Sequence, residues 1–157
     1  MFWDRPVDRR FLWYAGAATA TAALFFPKIE GIRNHGRPLW QLLIFFVPLD
    51  VEGLILIPVI VLVTLTLFQL VGGWALKDTE ARNRPARAGV VVGILGLFGI
   101  VLFWISAPII LGGLAITLGL AGRQLASARG RSSTALAALI LGACSALVGA
   151  IMWAFIT

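Results

Sequence analysis

The sequence predicts an all-α, polytopic membrane protein, and three observations predict it. Hydrophobic residues fill 60% of the 157 positions and charged residues only 13%, whereas a water-soluble domain of this size needs far more polar surface to cover its core. The charges are clumped, so that long uncharged runs alternate with short basic segments, the arrangement of membrane helices joined by loops. Lys and Arg stand at the ends of the apolar runs, where juxtamembrane cations belong. A net charge of +6 is therefore read as membrane flanks and not as a nucleic-acid footprint. The expected partner is the lipid bilayer, not nucleic acid.

Residues 1–157 read as one membrane domain with five spans. The first, 11–26, is short and rich in Ala and Thr, and Pro27 closes it. Its flank "MFWDRPVDRRFLWY" puts aromatics ahead of small residues and "ALFFPK" is a poor cleavage context, so an uncleaved span is expected rather than a signal peptide. The second, 54–76, is the strongest, with no charge and abundant Leu, Ile, Val and Thr. Spans three and four, 88–106 and 108–122, are separated only by "SAP". Pro108 suits the first turn of a new helix, with Ser106 or Ala107 near the cap, so the pair reads as a tight hairpin. The fifth span is 134–156.

Between the first two spans lies "HGRPLWQLLIFFVPLDVEG". As a helix, its apolar run 39–49 would rise about 16 Å, half of a ~30 Å hydrocarbon core. A run of this length is expected to be interfacial or re-entrant, giving five spans; the alternative, in which it crosses, gives six. Loops 77–87 and 123–133 carry several Lys and Arg, and "SAP" and the C-terminal "FIT" carry none. The positive-inside tendency puts the two basic loops in the cytoplasm and the C-terminus outside, as in a multi-pass protein of a plasma membrane. Charge does not settle the front of the chain, because Arg5, Arg9 and Arg10 balance Lys28, Arg33 and Arg37. An internal echo, "AR-x-R" followed by "ILG", links 75–96 with 121–142, although any two short basic loops between Gly/Ala-rich helices look alike.

Small residues recur at helical spacing. Gly89, Gly93 and Gly96 share one face, Gly112, Ala115, Gly119 and Gly122 another, and Ala138, Gly142, Ala146 and Gly149 a third. Such rows let helix backbones approach, and packing rather than hydrophobicity drives association in lipid. They serve a tight bundle within the chain or contacts with another copy or a partner's helices. Trp13, Tyr14, Trp40, Trp74, Trp104 and Trp153 fall near segment ends, where amphipathic rings sit at the headgroup level.

The later four spans contain no Asp, Glu, Lys, Arg or His, the residues that normally mark proton relays and transport paths. Gln69 is their only large polar side chain, and their Ser and Thr hydroxyls can bond their own helix. His35 is the only histidine and Cys144 the only cysteine, so disulfides and Cys-based metal clusters within the chain are excluded. Cys144 reads as a small packing residue. The remaining polar chemistry gathers at Arg33, His35, Arg37, Trp40, Asp50 and Glu52. Two carboxylates two positions apart are weak material for metal or acid–base work, so this cluster reads first as a solvated interfacial group and next as a partner or headgroup site. No metal or cofactor is expected.

From about Arg87 onward the chain resembles a small Gly/Ala-rich bacterial membrane domain of unknown function, common in actinobacteria. The glycine-rich 93–99, the "LGGLAITLGLAGRQLASARGR" stretch to Arg131, and "LAALILGACSALVG" at 136–149 carry the likeness. The resemblance implies a bacterial inner-membrane location and brings no activity with it. The expected function is that of a non-enzymatic accessory or scaffold subunit, associating through small-residue helix faces. The alternative is a small transporter, channel or lipid-handling protein with 28–53 capping a cavity, and an enzyme using His35, Asp50 and Glu52 stands third.

Overall fold

The computed structural model describes residues 9–34, 51–77, 83–99, 106–126 and 133–155, and all of the regular structure among them is helical. Helix α1 spans Arg9–Asn34, α2 Val51–Leu67, α4 Arg84–Phe98, α5 Ala107–Ala126 and α6 Ser133–Phe155. Between α2 and α4, a π-helical turn, Phe68–Gly72, leads without a break into the short α3, Gly73–Leu76. Three stretches are long and apolar enough to cross a bilayer: Ile57–Leu76, Ala107–Ala126 and Ser133–Met152.

The first and third helices differ most from the sequence expectation. The first helix does not stop at Pro27 but continues to Asn34, a rise of about 39 Å at ~1.5 Å per residue. Proline inside a membrane helix is tolerated where neighbouring groups satisfy the carbonyl it leaves free. The third begins at Arg84 rather than 88, because Pro85 supplies the preset φ of a first turn. It ends at Phe98 rather than 106. The expected short helix 39–49 lies outside the described residues.

The helices alternate in direction. A Cβ on Gly72 would lie 2.7 Å from Leu12, and one on Gly16 would lie 3.2 Å from Leu65, while Ala23 and Leu24 share a cluster with Ile60, Ile109 and Ile110. The start of α1 thus meets the end of the α2–α3 rod, and α1 runs antiparallel to it and to α5. Helices α4 and α6 run parallel, since Gly89 meets Ala138, Gly93 meets Leu141 and Gly96 meets Ser145. Both are antiparallel to α5, as the Gly122–Ala86 and Gly119–Leu139 contacts require. Helix α5 is therefore the axis, and 56% of its membrane-length window is enclosed, against 28% for each of the other two candidate spans.

Around that axis α4, α5 and α6 form a close-packed trio, with α1 laid over α5 and the α2 rod packed beside α1, its inward side chains also reaching α5. On α1 the inward face reads Leu12, Gly16, Ala20, Ala23, a row at helical spacing whose small members let it lie near Phe68 and Thr19 near Gly113. Phe68 is fully enclosed and anchors a second cluster with Leu114, Ala115, Leu118 and Val92. Large apolar side chains point outward, among them Leu62, Leu70, Phe98 and Leu147, which suits a protein solvated by lipid. Cys144 is on this outward side, not in the packing position expected for it.

Candidate functional site

The interior is closed by glycine. A Cβ on Gly112 would lie 2.6 Å from the Gly142 carbonyl oxygen and 2.7 Å from the Ala146 nitrogen. Gly142 is equally confined: a Cβ there would lie 2.8 Å from the Gly112 oxygen and from the Ile116 nitrogen. Because these neighbours are backbone atoms, no rotamer change can make room. A Cβ on Gly149 would lie 2.8 Å from Ile109 and one on Gly119 2.9 Å from Leu139, continuing the α5–α6 seam. Gly89, Gly93 and Gly96 form the α4 side, with Cβ positions 2.9 Å from Ala138, 2.8 Å from Leu141 and against the Ser145 hydroxyl. All seven glycines therefore face helices of the same chain.

The enclosed hydroxyls are bonded as tightly as the glycines are packed. Thr64 donates to the Ile60 carbonyl at 2.7 Å and Thr117 to the Gly113 carbonyl at 2.8 Å, each one turn back on its own helix. Two others cross between helices: Ser145 donates to the Pro108 carbonyl and Ser106 to the Ala23 carbonyl, both at 2.8 Å. In a low-dielectric interior such pairing is needed, since an unmet buried polar group costs about 1–3 kcal/mol. The Gln69 side-chain nitrogen is the described exception: it is enclosed and has no hydrogen-bond partner. It lies in the π-helical turn, a local widening that often marks functional positions.

A cavity of about 200 Å³ lies between α2 and α5, lined by Val59, Ile60, Val63, Leu67, Ala107, Ile110 and Leu111. Every lining side chain is apolar. Gln69 and the threonines do not line it, so it does not form a polar path.

The two ends of the bundle differ in chemistry. One end gathers the start of α1, the end of α3, the starts of α4 and α6 and the end of α5, and so carries Arg10, Lys77, Arg84, Arg87 and Arg123. There the Arg84 guanidinium lies 4.0 Å from the centroid of the Trp74 ring, a cation–π contact that ties α3 to α4 across loop 77–87. Trp13, Tyr14 and Trp74 are all more than half exposed at this end, as rings at a headgroup level would be. The opposite end holds the last turn of α1, with Arg33, and the first turn of α2, with Glu52. The fold brings the backbones of those two segments to the same end of the molecule. His35, Arg37, Trp40 and Asp50 lie outside the described residues. Among the described residues, no three His, Cys, Asp or Glu side chains gather in a metal-holding group.

No protein-family model, curated protein or solved structure matches the chain. Two features of the site are absent from the sequence reading. One is the inward row of α1, which Gly16, Ala20 and Ala23 signal by their spacing. The other is the pair of interhelical serine bonds, which no local pattern signals.

Proposed function

We propose that the chain is a five-span, non-enzymatic accessory or scaffold protein of a bacterial plasma membrane, with 28–53 at the outer surface. Helix direction supports the span count. Because α1 and the α2 rod are antiparallel, the segment joining them starts and finishes on one side of the bundle. In a six-span arrangement those two helices would run parallel. The thirteen Lys and Arg residues fit this orientation: only Lys28, Arg33 and Arg37 fall outside, and the rest stand at the inner end or in the loops leaving it.

The observation that carries the scaffold reading is the closed packing of the α4, α5 and α6 seams. The glycine seams close against the chain's own backbones, and Thr64, Ser106, Thr117 and Ser145 all donate to backbone carbonyls. Surface available to a partner then lies on the outward faces, such as Leu62 and Leu70 on the α2 rod, and at the outer flank with Arg33, His35, Arg37, Trp40, Asp50 and Glu52. This moves the partner contact away from the small-residue rows, which are already occupied. The apolar cavity between α2 and α5 favours a second reading, lipid handling, because its lining suits an acyl chain and not a polar solute.

Purification in mild detergent, with a photo-crosslinking residue at Leu62, tests the scaffold reading. The expected result is a discrete crosslinked product within a larger complex. Recovery of a lone monomer, with only lipid captured at Leu62, contradicts it.

A further inference from the structure

A proline removes the N–H donor that would serve the carbonyl four residues earlier. For Pro27 that carbonyl belongs to Ala23. The Ser106 hydroxyl donates to this same oxygen at 2.8 Å, from the turn that opens α5. Ser106 is fully buried and Ala23 is too, so the carbonyl is shielded from bulk solvent. Ser106 also has a φ of 57°, the left-handed region in which a side chain is a disadvantage and glycine is the natural choice. On backbone grounds alone a serine there is the wrong residue, and its hydroxyl accounts for its presence.

We propose that Pro27 and Ser106 form a hinge and its latch. Pro27 interrupts the hydrogen-bond ladder of α1, and the Ser106 hydroxyl replaces the missing rung from a neighbouring helix. The bond ties α1, one turn before Pro27, to the turn that opens α5, and so fixes the direction in which the last turns run to Asn34. When it is released, α1 bends at Pro27 and carries with it the chain that leaves Asn34. The latch is a positioning device for the end of the bundle where Arg33 and Glu52 lie. It is independent of the scaffold reading and of which side of the membrane that end faces.

The test is a double-mutant comparison in lipid nanodiscs, read by amide hydrogen exchange. Ser106→Gly removes the hydroxyl and relieves the positive φ, so a turn with no latch would be unharmed by it. The latch predicts that exchange across 28–34 accelerates about ten-fold, the scale of one lost buried hydrogen bond, while exchange across 9–22 is unchanged. Pro27→Ala restores an N–H for the Ala23 carbonyl. In that background Ser106→Gly is expected to accelerate exchange no more than about two-fold, because the two positions are coupled. Equal acceleration in both backgrounds, or none in either, overturns the proposal. Should Ser106→Gly alone fail to fold, recovery on adding Pro27→Ala supports the latch and no recovery overturns it.

Discussion

A Cβ on Gly112 would meet the backbone of α6 at 2.6 Å, and a Cβ on Gly73 would meet nothing within 4 Å. The same substitution should therefore act in opposite directions. Gly112→Ala forces α5 and α6 apart along the seam and is expected to cost about 1–3 kcal/mol, the usual penalty of overpacking. Gly73→Ala adds no clash and removes backbone freedom from the unfolded chain, so it should be neutral or stabilise by up to about 1 kcal/mol. Reversible unfolding in mixed micelles measures both. Equal effects would mean that the glycine seam does not hold the bundle. The spacing of the small residues is readable in sequence because a helix repeats every 3.6 residues. Which helix each row meets is not readable, since Gly89 and Gly112 look alike until α4 and α5 are docked.

At the scale of the element, the α2 rod is the instructive case. Its π-helical turn at 68–72 accommodates one residue more than a regular helix would. Deleting the exposed Leu70 should let the turn relax to α-helix while Phe68 and Ala75 keep their buried places. Deleting the equally exposed Leu62 instead rotates everything before it by about 100° and takes Ile60 out of its cluster. Thermal unfolding should show ΔLeu70 close to the parent and ΔLeu62 strongly destabilised; the reverse order would refute the role given to the turn. The helical class and the long apolar runs are legible in composition alone. The π-turn is not, because "TLTLFQLVGG" has no feature that separates a widened turn from a regular one. The end of α1 is misread at Pro27 for a related reason: a local rule about proline is overridden by Ser106, 79 positions away, whose hydroxyl serves the freed carbonyl.

For the whole molecule, direction carries what charge cannot. Five-span and six-span arrangements leave the same number of basic residues inside, since Arg5, Arg9 and Arg10 balance Lys28, Arg33 and Arg37. The antiparallel pairing of α1 with the α2 rod, through the contacts of Leu12 with Gly72 and Gly16 with Leu65, favours five. It also places the end of α1, with Arg33, and the start of α2, with Glu52, at the end of the bundle opposite to Lys77, Arg84 and Arg123. Cys144 is the sole native thiol and is exposed on α6, so its removal leaves a clean background. The most direct measurement combines Cys144→Ala with Asn34→Cys and treats intact cells with a membrane-impermeant thiol reagent. Labelling in intact cells is the predicted result. Protection that vanishes on lysis would place residue 34 inside and contradict the five-span architecture.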